Sequence, residues 1–306
     1  MKIKNIIKKA LAVLFIAVLS VNCKKVKENF DNCGIILRFA FTKNTDNVDS
    51  FSSEVQNYTL FVFDAAGNLV ATYDDIGPFG PDYFKRLTNL PAGTYTFVVW
   101  GNLSDNISLS TTGAGRKGDR GIKLKTIGDI ASQPGVLFYG KLDNVTVSNS
   151  FNQVVTIDLM KDTKSVTAIF NGLPASQPGD FVCKIVAANG EYNFDNLPPA
   201  VAKMLTYMPQ NTYDMAANQM TSDFVTLRLF DEDWFNARII LTHVATGEVI
   251  MDVSLIDAIK LAYPNVDFVK DDKFVLVFDI QGTFGNWSVT IRGWTDVGSE
   301  YPIYIG

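Results

Sequence analysis

The sequence predicts an all-β protein, two tandem β-sandwich domains behind an exported N-terminus. Three observations carry this. The first 22 residues have the makeup of a signal peptide. The rest is a succession of short β-branched and aromatic runs punctuated by Gly, Pro, Asn and Asp. That succession restarts near residue 160, which divides the chain into residues 1–22, 23–160 and 161–306.

Lys2, Lys4, Lys8 and Lys9 form a basic start, and Ala10 to Val21 is apolar apart from Ser20. About a dozen apolar residues suit a signal peptide and fall short of the roughly 18 to 20 that span a bilayer. Lysines and apolar residues are segregated along the chain, not around a helical face, so an amphipathic helix fits poorly. No small-residue cleavage site of the ordinary kind is present. Ser20-Val21-Asn22-Cys23 has the spacing of a bacterial lipobox with loose letters. Cys23 therefore reads as the lipidated first residue of the mature chain; a plain cleaved signal is the alternative. One acyl chain holds a protein only marginally, at about 0.8 kcal/mol per buried CH₂, whereas two or three anchor it stably.

Removing the four lysines before Cys23 takes Lys+Arg from 27 to 23 against 32 Asp+Glu, a net of −9. That balance opposes nucleic-acid binding, which needs basic surface to replace counterions on phosphate. If Cys23 carries lipid, Cys33 and Cys183 remain, an even number in an oxidising compartment. A Cys33–Cys183 disulfide and two buried free thiols both fit. The spacings make no CxxC and no metal pattern.

GIILRFAFTK (34–43) is the first predicted strand. YTLFVFDAAGNLVATY (58–73) is a hairpin turning at Asp64 to Asn68, with bulk on both faces of its first arm. FKRL and TYTFVVW (84–100) repeat that logic around Pro91-Ala92-Gly93, and 137–161 holds two or three more strands. In the second half, 164–174, 181–190, 224–230, 273–280 and 287–297 read as strands, and 237–253 as a hairpin around Ala245-Thr246-Gly247. Ser254 caps a short helix, Leu255 to Ala262, stopped by Pro264.

No chemistry stands out. Gly113-Ala114-Gly115-Arg116-Lys117-Gly118 matches GxGxxG in letters, but no helix follows, so it reads as a mobile, protease-sensitive surface loop. His243 is the only histidine and sits inside a strand; no G-x-S-x-G elbow exists to serve it. Asp231-Glu232-Asp233 lacks the periodic ligands of a calcium loop and reads as a solvated turn. Nothing nominates a glycosidase pair of carboxylates. Trp100, Trp234, Trp287 and Trp294 read as core residues, with sugar stacking the alternative. Neither a metal nor a cofactor is expected, and the chain does not read as an enzyme.

The order and spacing of YTLFVFDAAGNLV, LPAGTYTFVVWGN, LFYGKLDNVTV, VTIDLMKDTKSVTAIFNGLP and WSVTIRGWTDV resemble the FimB-like minor fimbrium anchoring subunits of Bacteroidales. Cys23 and Cys33 before the first strand resemble that family's N-terminus. The lipobox, Met160-Lys161 at the domain join and the tail YPIYIG depart from it. The resemblance implies transthyretin-like sandwiches and an outer-membrane, cell-surface lipoprotein that seeds or ends a fimbria and limits its length. Its partner would be a fimbrial shaft pilin. It also implies assembly by strand exchange, in which a trypsin-like protease removes a pilin's first strand and a neighbour's segment fills the groove. A shaft subunit would be cut after Lys43 and lose its lipid; an anchor would keep Cys23 to Lys43. A surface glycan-binding lipoprotein is the competing reading, and it expects an exposed aromatic platform.

Overall fold

The computed structural model describes residues 34–111, 115–148, 152–173, 179–283, 286–292 and 300–303. They form an all-β protein with two short helices. The first half runs β1 (Ile35–Lys43), α1 (Phe51–Glu54), β2 (Asn57–Asp64), β3 (Leu69–Ile76), β4 (Phe84–Leu87) and β5 (Gly93–Gly101). It continues with β6 (Ile107–Thr111), β7 (Arg120–Leu124), β8 (Thr126–Ile127), β9 (Ile130–Ala131), β10 (Phe138–Val147) and β11 (Gln153–Lys161). The second half opens with β12 (Thr163–Asn171), β13 (Phe181–Ala187), β14 (Glu191–Asn193), β15 (Leu205–Tyr207), β16 (Gln210–Asp214) and β17 (Gln219–Leu227). It ends with β18 (Arg238–His243), β19 (Val249–Ser254), α2 (Leu255–Ala262), β20 (Lys273–Thr283), β21 (Asn286–Arg292) and β22 (Glu300–Ile303).

One sheet has the order β3-β2-β5-β10-β11-β1-β4. It folds on itself where β10 and β11 meet, since they pair only through Phe138↔Lys161 and Tyr139↔Met160. The two leaves then face each other across a core. Ile35, Leu37, Phe39 and Phe41 enter from one leaf, and Tyr58, Leu60, Val62, Phe97 and Val99 from the other. The period of two puts every second residue of these strands on that face.

The other face of β2 and β5 is also buried. Phe61, Phe63, Val98 and Trp100 belong to a second core with Ile122, Leu124, Tyr192 and Phe194. Phe194 lies 4.7 Å from Phe61 between ring centroids. Hence both sides of YTLFVF carry bulk. The covering strands form a small sheet, β14-β7-β6.

Two six-stranded sheets follow, β16-β17-β12-β20-β21-β22 from the second half alone and β19-β18-β13-β15-β9-β8, to which the first half contributes β8 and β9. Val166, Phe170, Ile185, Leu241, Leu276 and Phe278 pack between them, in the same core as Phe61 and Trp100. α2 lies where the sequence places it, with the Ser254 hydroxyl accepting from the Asp257 N–H at 3.2 Å. The chain changes sheet between Lys161 and Thr163. Pairing crosses that point, because β7 bonds β14 and β9 bonds β15.

One strand pairing differs from the expectation. β4 and β5 are not hairpin partners. β4 borders β1, with Phe84 opposite Arg38, while β5 lies between β2 and β10. The Pro91-Ala92-Gly93 connection crosses between the two leaves, with Leu87 and Leu90 drawn into the core on its near side.

Candidate attachment site: the first strand and the joint

β1 is an interior strand. It runs parallel to β11 from Ile35↔Gln153 to Ala40↔Asp158, and antiparallel to β4 on its other side. The approach to it is tight: a Cβ on Gly34 would stand 2.3 Å from the Leu87 carbonyl oxygen, so only glycine fits. Phe39 packs on Phe51, Tyr58 and Tyr83 at centroid distances of 5.4, 4.7 and 5.9 Å. Phe41 meets the edge of Phe138 at 5.0 Å.

The far end of β1 is tied down. Asp158 accepts from the Thr42 N–H at 3.0 Å and from its hydroxyl at 2.8 Å, and its carbonyl accepts from Lys43 Nζ at 3.0 Å. The Phe41 N–H donates to Asp49 Oδ1 at 2.9 Å. Four inward side chains at about 1.5–3 kcal/mol each make the strand worth on the order of 6–12 kcal/mol. A whole domain is stable by only about 5–15 kcal/mol. The groove under β1 therefore has to stay filled.

Its basic residues sit where a protease reaches poorly. Arg38 is exposed but held in ladders on both sides, opposite Thr156 and Phe84. Lys43 is half-buried, and the exposed turn follows it at Thr45 to Asp49.

β3 ends the same sheet on its opposite side. The Gly77 N–H donates to the Gln56 carbonyl at 2.7 Å, and the Asn102 N–H to the Asn57 carbonyl at 2.9 Å. Even residues of β2 thus bond β3 and odd ones bond β5. The backbone groups of Thr72, Asp74 and Ile76 then point away from the sheet. At eight residues, β3 is the longest edge strand among the described residues. It carries neither Lys, Arg nor Pro, though Asp74 and Asp75 are charged, the Ile76 N–H donates to Asp75 Oδ1 at 3.2 Å, and a bulge near Val70 twists one end.

The joint between the halves is one residue long. Asp162 separates β11 from β12 and is fully buried; its N–H donates to the Leu137 carbonyl at 2.7 Å and its Oδ1 accepts from Asn196 Nδ2 at 2.9 Å. Burial raises its pKa, while the Arg228 and Lys164 charges and the Asn196 bond oppose this. Lys161 bridges the halves, 2.7 Å from Asp272 and 3.3 Å from Glu54. Lys164 is also fully buried; its Nζ donates to the Asp271 carbonyl at 2.8 Å, and burial lowers its pKa to about 8. Nearby, Asp195 accepts from Lys117 at 2.7 Å and Lys141 at 2.8 Å. Lys270 Nζ adds a tether to Asn47 Oδ1 at 2.7 Å. The Lys161 ion pairs and a shared core thus connect the two halves.

The residues singled out in the sequence do not converge on a reaction centre. Cys23, Cys33, Gly113, Ala114 and Trp294 lie outside the described residues. Cys183 is fully buried on β13, and burial pushes its thiol pKa up. Lys117 to Asp119 form a 3₁₀ turn, strapped by Lys117 N–H to the Gly67 carbonyl at 2.9 Å and by the ion pair to Asp195. That part of the expected mobile loop is held. His243 is half-buried, with Nδ1 2.9 Å from the Thr246 hydroxyl. Asp231, Glu232 and Asp233 are exposed; Asp231 pairs with Lys260 at 2.9 Å. Among the described residues no group of three His, Cys, Asp or Glu could hold a metal ion. No described helix is long and apolar enough to cross a membrane.

The tryptophans diverge. Trp100 is fully buried, and Trp287 is half-buried with its N–H on Glu248 at 3.1 Å. Trp234, expected in the core, is 54% exposed. The loop after β17 sends Phe235 inward and leaves Trp234 stacked on Phe230.

A family model described as "Fimbrillin-A associated anchor proteins Mfa1 and Mfa2" matches residues 30–299. No curated protein matches significantly. Among solved structures, the fimbrial anchor protein Mfa2 from Porphyromonas gingivalis is 22% identical, covers 85% of this chain and 97% of its own, with a TM-score of 0.74. A Bacteroides thetaiotaomicron protein provisionally described as polysaccharide-binding is 25% identical, covers 89% and 98%, and scores 0.73. A Bacteroides ovatus protein provisionally described as an adhesin is 20% identical, covers 89% and 95%, and scores 0.75.

Proposed function

The chain belongs to the fimbrillin-A associated anchor protein family, and from that premise we propose that it is a cell-surface lipoprotein that fixes a fimbria to the outer membrane and limits its length. In this reading Cys23 carries the lipid. Eleven residues separate it from β1, enough to reach at most about 40 Å when extended. β1 remains part of the protein, so the membrane tether stays joined to a folded sandwich. The shaft pilin binds by strand-mediated contact, and the role is mechanical, without catalysis.

The observation that carries the reading is β1 itself, an interior strand at the membrane-proximal end of the chain with its basic residues paired or half-buried. An anchor needs that strand kept. The one-residue joint supports it, because pull between membrane and fimbria then acts across paired charges and a continuous core. The open edge of β3 supports strand-mediated contact, since added strands bond to unpaired backbone groups.

The test is Cys23→Ala in the native host. The reading expects fimbriae shed into the medium, and longer than normal. Fimbriae that stay cell-bound at unchanged length would contradict it. A mature chain that starts at Asn44 would mark a shaft subunit instead.

A further inference from the structure

Trp234 forms the outer layer of a stack rooted in the core. Its ring lies on Phe230, with centroids 5.1 Å apart and planes 27° from parallel. The guanidinium carbon of Arg228 lies 4.2 Å from the centre of that same phenyl ring. Phe230 is held in turn by Phe235, with ring centroids 5.2 Å apart. Phe230 is buried, and the Arg228 carbonyl accepts from the buried Tyr192 hydroxyl at 3.0 Å. The inner face of the indole is thus covered and its outer face is open to water.

The surroundings of that open face are polar. Asp231, Glu232, Asp233 and Asn236 are all exposed. Asp231 is neutralised by Lys260, whose Nζ also donates to the Asp231 carbonyl at 2.6 Å. Asp233 Oδ1 accepts from the Ala237 N–H at 2.8 Å. The backbone N–H of Trp234 donates to the Glu232 carbonyl at 2.8 Å, which fixes the turn, and the Glu232 side chain is exposed.

We propose that Trp234 is a saccharide-binding platform, with one neutral sugar ring on the open indole face and its hydroxyls bonded to Glu232, Asn236 and Lys260. A single open indole is far smaller than the roughly 800 Å² per partner of a stable protein interface. It is about the size of one sugar ring, whose apolar C–H face suits an aromatic surface. The chain's net charge of −5 repels acidic polymers. Lys260 cancels only one of the three carboxylates at positions 231–233, so the rim stays net negative and acidic sugars are disfavoured there as well. The rigid backing matters, since a platform already in place costs little ordering on binding. This site is independent of the attachment reading above and would stand if that reading failed.

The test is titration of the full mature protein with laminarin, xyloglucan and yeast mannan, followed by tryptophan fluorescence and calorimetry. At least one neutral glycan should bind with a blue shift in emission. Trp234→Ala should weaken binding at least about 10-fold at unchanged melting temperature. Trp234→Phe should retain part of it, and Glu232→Gln should weaken it several-fold. Failure of all three glycans to bind overturns the proposal, as does binding indifferent to Trp234→Ala. A hexalysine peptide that binds through Trp234 when no glycan does would also overturn it.

Discussion

Phe39→Ala should open the chain to cleavage in the middle of β1. Trypsin needs an extended, unpaired stretch of backbone, and Arg38 lies in ladders with both Thr156 and Phe84. Cleavage after Arg38 therefore follows the population of molecules in which β1 has left its groove. Phe39 is 5% exposed and packs on three other rings. Replacing such a buried Phe by Ala costs about 3–5 kcal/mol. At about 1.4 kcal/mol per factor of ten, the open population rises roughly 150- to 4,000-fold. The assay is limited trypsin digestion of the native protein, with the bond after Arg38 quantified by mass spectrometry. Leu109→Ala serves as a control, since that side chain is 49% exposed. Cleavage after Arg38 in the unaltered protein as fast as in the unfolded chain would refute the reasoning. So would a change of less than about threefold in Phe39→Ala.

Three further outcomes are expected. Lys161→Met should destabilise by about 2–4 kcal/mol in denaturant titration, because it strips the partner from the mostly buried Asp272; Lys161→Met with Asp272→Asn should recover part of that loss, and full additivity would mean the pair is not coupled. Lys164 has a folded pKa near 8 against 10.5 for a free lysine. Between those values the unfolded lysine holds a proton that the folded one has released, so this residue's contribution to stability rises with pH across that window. The gap between the unaltered protein and Lys164→Met should shift toward the unaltered protein between about pH 7.5 and pH 10; a constant gap would show that Lys164 does not titrate there. If the Cys33–Cys183 pair forms, digests of exported protein under non-reducing conditions should contain the linked peptide, and iodoacetamide should label neither residue even in denaturant. Labelling of Cys183 only after unfolding would identify it instead as a buried thiol, in keeping with its burial and raised pKa.

The strands that alternate over seven or more residues were readable in the sequence because period and composition agree, as in β1 and β13. α2 was readable because Ser254, an apolar face and Pro264 bracket it. β6 to β9 were not. They are short, two to five residues each, and β7 finds its partner β14 some 70 residues away, where no local pattern can point. Adjacency in sequence suggested a β4–β5 hairpin, but the connection crosses from one leaf to the other. The joint was hidden for a different reason. Lys161, Asp162 and Lys164 put three charges within four residues, a composition that usually faces solvent, and their burial depends on Glu54, Asp271 and Asp272, which only the fold assembles. Trp234 was misplaced because a strand-side tryptophan and a loop tryptophan look alike until the chain shows that Phe235, its neighbour, takes the inward place.

The central claim is that a folded first strand stays linked to a lipid in the assembled fimbria. Intact-mass analysis of this protein, extracted with fimbriae from the native host, tests it most directly. The account predicts a chain that begins at Cys23, carries two or three acyl chains and includes residues 34–43. A chain that begins at Asn44, or one that bears an unmodified thiol at position 23, would contradict it.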